Sequence, residues 1–221
     1  MQIKQIIFDM DGTLIDTEPL YQRCWQQAML EAGVRLDLDA FLPMQGQGSK
    51  YNNQYIQKLL GGNASLDAAL QVRKRRDELF LLGVKNGEVK CFENVLATLA
   101  KLKENFHLSL ATSTGIEPLG NLLLTSTELK PYFNDLTFGN EVTNGKPEPD
   151  IFNLAVQKGG FKPSEAVAVE DSVAGLKSAL KAGLHVFCVP QSQAYLAFTP
   201  KPTELQHLDK FSDLATILVG F

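Results

Sequence analysis

Gln5-Ile6-Ile7-Phe8-Asp9-Met10-Asp11-Gly12-Thr13-Leu14-Ile15-Asp16 decides how this chain is read. Ile6-Ile7-Phe8 is an apolar, β-forming run. It stops at two carboxylates spaced i and i+2, Asp9 and Asp11, with Gly12 and Thr13 directly behind them. A buried strand has no use for two acids at its tip, because an unpaired buried charge is costly. The C-terminal end of a strand in an open α/β sheet, however, is where ligands bind. The competing reading, an Asp-Gly turn closing a hairpin, weakens as the rest of the chain is taken in.

Downstream the pattern becomes helical. Asp16-Thr17-Glu18-Pro19 has the composition of a helix start, with Asp16 or Thr17 as the cap and Pro19 in the first turn. Leu20, Trp25, Ala28, Met29 and Ala32 recur at helical spacing, and Gly33 ends the run. Residues 38–44 and 51–60 read as two further helices around the loop Gln45-Gly46-Gln47-Gly48-Ser49. Gly61-Gly62-Asn63 breaks the chain, and Ser65 caps a long helix to Leu82. Beyond the break at 83–88, helix and strand alternate. The expected elements are a helix over 93–104, a strand over 107–111, a helix over about 117–124 and an apolar segment at Leu136-Thr137-Phe138. A helix opened by Lys146-Pro147-Glu148-Pro149-Asp150, a strand over 166–169, a helix carrying Val173, Leu176, Leu180 and Leu184, a strand over 185–189 and a last helix over 211–219 complete the series. The alternation predicts an α/β fold, a Rossmann-like parallel-sheet core with right-handed crossovers. That core takes residues 1–16 and 85–221. An inserted all-helical cap domain takes residues 17–84, with hinges near Asp16 and Gly87.

The 221 residues carry a formal net charge of −4, so nothing in the balance favours nucleic acid or an anionic membrane as a partner. Arg73-Lys74-Arg75-Arg76 is short and lies in a helical pattern, where it reads as a solvated face. Cys24, Cys91 and Cys188 are far apart and outside any CxxC spacing, as for reduced packing residues. No leader pattern opens the chain, and no apolar run reaches bilayer-spanning length. A cytoplasmic monomer is the expectation. No catalytic role is assigned to His107, His185 or His207.

Three expected strands end in polar residues at one edge of the sheet: Asp9 and Asp11, Thr112 and Ser113, Glu170 and Asp171. Lys146 lies in the loop between the second and third of these. Carboxylates gathered there repel, by about 4 kcal/mol per pair at roughly 4 Å and an effective dielectric of about 20. A proton or a cation relieves this. Oxygen ligands without Cys or His suit a hard cation, and a few carboxylates with water suit Mg2+ better than calcium. A phosphate would be neutralised by that metal and Lys146, and would accept hydrogen bonds from Thr112 and the Gly12 loop. Asp9 is placed to act as nucleophile and Asp11 as acid and base. A dinucleotide site is excluded by the lack of a GxGxxG after the first strand.

At these residues the chain resembles the haloacid dehalogenase superfamily of phosphohydrolases. The carriers are Asp9-Met10-Asp11-Gly12-Thr13, Thr112 in Leu110-Ala111-Thr112-Ser113, Lys146 in Gly145-Lys146-Pro147-Glu148-Pro149, and Glu170-Asp171-Ser172, in the family's order. The helical insert resembles the cap of the subgroup containing β-phosphoglucomutase and sugar-phosphate phosphatases. Asp16-Thr17-Glu18-Pro19-Leu20-Tyr21, Ala111-Thr112-Ser113-Thr114 and Asn144-Gly145-Lys146-Pro147 are most similar to phosphatases of phosphorylated carbohydrates. The resemblance implies magnesium held by Asp9, the main-chain carbonyl of Asp11 and Asp171, with Glu170 assisting. It implies Thr112 and Lys146 on the phosphate, Ser113, Thr114 and Gly115 facing the rest of the substrate, and a cap that closes and selects. Glu18, Tyr21, Gln45, Gln47 and Lys50 are the candidates for selection, and Trp25 for cap core. Asp11 argues against dehalogenation, since dehalogenase members lack that second acid. Tyr21 stands where the mutase has a cap His, and in the loop Gln45-Gly46-Gln47-Gly48-Ser49-Lys50 a Gln stands where it has a Lys and only Lys50 could supply positive charge, so a bisphosphate would be poorly held. The expected activity is a magnesium-dependent phosphatase of small phosphate monoesters, phosphorylated sugars above all. A β-phosphoglucomutase-type isomerase is the alternative, and Asp9, Asp11, Lys146 and Asp171 together argue against an idle phosphate-binding module.

Overall fold

Ile6, Ile7 and Phe8 are wholly buried in the first strand, β1 (Gln5–Phe8). A two-residue strand, β2 (Ile15–Asp16), follows, and the chain then leaves for a run of helices. The computed structural model describes residues 2–44 and 49–219. The chain forms two compact units, Met1–Asp16 with Lys90–Phe221, and Thr17–Val89.

The helical unit consists of α1 (Glu18–Glu31), a 3-10 segment (Leu38–Met44), α2 (Ser49–Leu59) and α3 (Leu66–Lys85). Ser65 caps α3: its backbone is extended, and its hydroxyl accepts from the Ala68 N–H at 3.1 Å. The cap expected of Asp16 or Thr17 is not made. Thr17 already has helical dihedrals, φ −91° and ψ −17°, and its side chain makes no capping bond. Residues 38–44 form 3-10 rather than α-helix, and Pro43 within them cannot donate a backbone bond. The unit extends to Val89 rather than to 84, because the Glu88 N–H bonds the Gly83 carbonyl at 3.0 Å and Arg23 pairs with Glu88 at 2.9 Å.

Trp25 packs in the core of this unit with Ala28, Met29, Phe41, Met44, Ile56, Ala69 and Val72. One member of the basic cluster joins them. Arg76 is 3% exposed and lies between the rings of Tyr21 and Trp25, 4.3 and 4.4 Å from their centroids. The solvated-face reading holds for Lys74 and Arg75 and fails for Arg76. Arg76 falls four residues after Val72 and four before Phe80, on the buried stripe of α3, and the two rings supply cation–π attraction. Its Nη2 pairs with Asp77 at 2.8 Å, while Nε and Nη1 have no hydrogen-bond partner among the described residues.

The chain returns through β3 (Lys90–Cys91), antiparallel to β2, with Ile15 opposite Cys91 and Asp16 opposite Lys90. There follow α4 (Val95–Lys103), β4 (His107–Thr112), α5 (Asn121–Ser126), β5 (Asp135–Phe138), α6 (Asp150–Gly159), β6 (Ala166–Glu170), α7 (Val173–Lys181), β7 (His185–Cys188), β8 (Leu205–His207) and α8 (Asp213–Val219). The large sheet has six strands in the order β5-β4-β1-β6-β7-β8, every adjacent pair parallel. Ile7, Ala111, Ala168 and Val186 from the sheet pack with Phe152 and Ala155 of α6 and Leu176 and Ala179 of α7. Strands β2, β3 and β8 are too short to leave a period in the sequence. The helix expected over 117–124 is a π-turn, Ile116–Gly120, leading into α5. Pro118 has no N–H for an α-helical bond, and the Gly120 N–H reaches back five residues to the Gly115 carbonyl at 3.1 Å. Among the described residues no helix is long and apolar enough to cross a membrane.

Helix α7 starts against Glu170. The Ser172 hydroxyl accepts from the Gly175 N–H at 2.9 Å, and a Cβ at Gly175 would overlap the Glu170 carboxylate. Helix propensity alone favours Gly175→Ala by about 1 kcal/mol. The overlap reverses the sign: urea unfolding of Gly175→Ala is expected to show a loss of about 1–3 kcal/mol, and an unchanged or raised midpoint would refute this account of the α7 start.

Candidate active site

The sheet register aligns the chemistry. Phe8 pairs with Leu110 on one side and Val169 on the other, so the next residues of three adjacent strands, Asp9, Ala111 and Glu170, lie level. The Asp9 N–H continues the ladder to the Val169 carbonyl at 3.0 Å. Lys146 ties all three tips together. Its ammonium donates to Asp9 Oδ1 at 2.5 Å, Glu170 Oε1 at 2.6 Å and the Ala111 carbonyl at 3.0 Å, and its side chain is only 5% exposed. The Lys146 loop is in turn braced by α7: the Ser178 hydroxyl donates to the Glu148 carbonyl at 2.5 Å and Lys181 to the Glu148 carboxylate at 2.8 Å.

Glu170 is fully buried and fully occupied. Its Oε2 accepts from the Asp171 and Ser172 N–H groups, both at 2.9 Å, and from the Ser172 hydroxyl at 3.1 Å. These donors stand at the N-terminus of α7, where a negative charge is favoured. Asp171 is held from three sides. The Thr13 hydroxyl donates to its Oδ1 at 3.3 Å, the Ser192 hydroxyl donates to its main-chain carbonyl, and Gly12 lies so close that a Cβ there would collide with the carboxylate. Gly12 also has φ +83°, a conformation that favours glycine. Gln191 secures this turn by donating to the Gly12 carbonyl at 2.8 Å.

Asp9, Glu170 and Asp171 each place a carboxylate oxygen within 4.8 Å of the others. Burial pushes Asp9 well above the ordinary carboxylate range, against the pull of Lys146 and with Glu170 and Asp171 adding to the rise. Burial, then the charge of Glu170, pushes Asp171 up to about 7. Burial works against the Lys146 ammonium, yet Asp9 and Glu170 hold it above the ordinary lysine value. One lysine thus faces three carboxylates. The excess charge and the all-oxygen donor set fit a hard divalent cation.

Asp11 lies beside this cluster. The Thr114 hydroxyl donates to its Oδ2 at 3.0 Å, and the Thr114 N–H donates to the Thr112 hydroxyl at 3.1 Å. Thr112 is buried at the end of β4, and Ser113 is exposed. The structure therefore brings Asp9, Asp11, Thr112, Thr114, Lys146, Glu170 and Asp171 to one edge of the sheet. The hydroxyl of Thr114, one of the residues expected to face substrate, is bonded to Asp11. The remaining candidates belong to the helical unit. Glu18 is exposed in the first turn of α1 and accepts from Gln22 at 3.0 Å. Tyr21 is half-buried, its ring edge-on to Phe80 at 4.7 Å. Lys50 is exposed on α2, and Gln45 and Gln47 lie outside the described residues. Residue type and spacing do not single out the roles of Thr13, Gln191 and Ser192. The last two follow β7, a neighbour of β6, and only the strand order makes that loop part of the site.

The sequence pattern of haloacid dehalogenase-like hydrolases matches residues 6–189. The chain belongs to that family. Among relatives of this hydrolase, the fructose-1-phosphate phosphatase YqaB of Escherichia coli is 29% identical over 182 residues, covering 81% of this chain and 92% of the relative. The phosphorylated carbohydrates phosphatase of Thermotoga maritima is 31% identical over 189 residues, covering 82% of each. Among solved structures, CbbY from Rhodobacter sphaeroides in complex with xylulose-(1,5)bisphosphate aligns over 96% of both chains, with a TM-score of 0.74 and 25% identity.

The cluster generates a test that needs no substrate. A carboxyl raised in the fold binds more protons folded than unfolded, so its contribution to stability falls as pH rises from about 4 towards the value near 7 of Asp171. A divalent cation bound to the ionised, folded cluster restores that loss. The rise in Tm caused by Mg2+ is expected to be larger at pH 8 than at pH 5.5. Equal shifts at both pH values, or none, would argue against a cation at these residues.

Proposed function

We propose that this hydrolase is a phosphatase of small phosphate monoesters, phosphorylated sugars in particular, working through an aspartyl-phosphate on Asp9. The observation that carries the reading is the placement of Asp9 level with the tips of β4 and β6, with the Lys146 ammonium 2.5 Å from its carboxylate. A carboxylate on a rigid strand end, next to a cation that can neutralise phosphate oxygens, is placed to attack phosphorus. The named substrates of the relatives support the sugar phosphate class.

In the first step an Asp9 carboxylate oxygen bonds to phosphorus, the bond to the leaving oxygen breaks, and Asp11 gives that oxygen its proton. In the second, Asp11 takes a proton from water, the water oxygen bonds to phosphorus, and the bond to Asp9 breaks to release phosphate. Lys146 and the Thr112 hydroxyl hold the phosphoryl oxygens through both steps. Mg2+, held by Asp9, Asp171 and the main-chain carbonyl of Asp11, would supply positive charge to the phosphate and relieve the repulsion between carboxylates. Glu170, with Oε2 taken by three donors, serves chiefly to anchor Lys146.

Substrate selection is assigned to the helical unit. Its buried Arg76, whose Nε and Nη1 have no hydrogen-bond partner among the described residues, is a better candidate for binding substrate oxygens than the exposed Lys50. Buried donors are ordinarily satisfied, and guanidinium pairs well with phosphate or carboxylate.

Phosphate release from a panel of sugar monophosphates, including fructose 1-phosphate and both anomers of glucose 1-phosphate, tests the main reading. Release is expected to require Mg2+, to stop with a chelator, and to fall about a thousandfold or more in Asp9→Asn. No release from any of these with magnesium present would overturn it, and isomerised sugar phosphate in the same mixtures would favour the mutase. Arg76→Met is expected to raise KM for the best substrate about tenfold or more without lowering stability, since an incompletely paired buried charge is removed. An unchanged KM would take selection away from Arg76.

A further inference from the structure

We infer that Thr114 is a positioning residue for Asp11, holding its carboxyl in the orientation from which it serves the leaving group. The inference rests on the reading of Asp11 as acid and base. The Thr114 hydroxyl donates to Asp11 Oδ2 at 3.0 Å across a sequence separation of 103 residues, bridging the tips of the adjacent strands β1 and β4. The bond limits rotation of the Asp11 carboxyl, so the group is held in one orientation at the strand tip.

The geometry gives Thr114 the rigidity that this role needs. Its N–H donates to the Thr112 hydroxyl at 3.1 Å, and its carbonyl accepts from the Gly139 N–H at 3.2 Å. Gly139 lies so close that a Cβ there would run into the main chain of Ser113. The loop after β4 is therefore clamped to the end of β5. The Thr112 oxygen accepts from Thr114, which leaves the Thr112 hydroxyl hydrogen to donate to phosphate. The end of β4 and the loop after it so divide two tasks: Thr112 for the phosphoryl group and Thr114 for the orientation of Asp11.

The test is the dependence of rate on leaving group, read with simple monophosphates that carry no sugar ring. An alkoxide needs a proton to depart, whereas p-nitrophenolate departs without one, so loss of a well-placed acid penalises alkyl phosphates selectively. Thr114→Val removes the hydroxyl at nearly constant shape. Its kcat/KM is expected to fall about 10- to 100-fold for ethyl and glycerol phosphates and less than about 3-fold for p-nitrophenyl phosphate. Asp11→Asn sets the full slope for comparison, and Thr114→Ser is expected to restore the wild-type pattern. Thr114→Ala gives the same reading if the valine variant does not fold. A uniform fall across all leaving groups, or a rise in KM at unchanged kcat, would overturn the inference and return Thr114 to a substrate contact. If the wild type hydrolyses none of the series with magnesium present, the phosphatase reading fails and takes this inference with it. An active wild type with an unaffected valine variant sinks the inference alone.

Discussion

Repulsion among carboxylates at the ends of adjacent parallel strands is the constraint on which the rest of this structure depends. Asp9, Glu170 and Asp171 share a few ångströms, and a single buried lysine lies among them. Each neighbouring element responds to that charge. Helix α7 turns its N-terminal amides onto Glu170, and Gly175 leaves room for the carboxylate. Gly12 lets Asp171 approach the first loop, while Ser178 and Lys181 hold the loop that carries Lys146. A cluster that binds protons when it lacks a cation is suited to hold one when it is ionised.

The rigid and adjustable parts are separated by backbone type. Asp9 and Thr112 sit at strand ends, where the ladder fixes them: Asp9 through the bond to Val169, Thr112 as the last residue of β4. Polar neighbours of the cluster come from the loops beside them, Thr114 after β4 and Gln191 and Ser192 after β7. The inserted helices have a core of their own, in which Arg76 replaces an apolar residue on the buried stripe.

Much of this was legible in the chain. Ile6-Ile7-Phe8 followed by Asp9 and Asp11 announced a strand tip, and polar ends on the later runs at Thr112 and Glu170 announced its neighbours, because a parallel α/β sheet collects such tips at one edge. Arg76 was legible too, had the spacing from Val72 to Phe80 been weighed above its charge. The π-turn at 116–120 and the two-residue strands β2 and β3 were not, since segments that short carry no period.

By itself the sequence determined the fold class, the interruption by helices and the set of polar groups that meet at the sheet edge. Those follow from local hydrophobic period and from residue type, which the chain states directly. Tertiary structure alone decided which oxygen each group meets. Lys146 on both Asp9 and Glu170, Thr114 on Asp11, and Ser192 on Asp171 are contacts across roughly twenty to well over one hundred residues. Hydrogen bonds are directional to a few tenths of an ångström. Only the registered sheet and its packed helices set positions that finely.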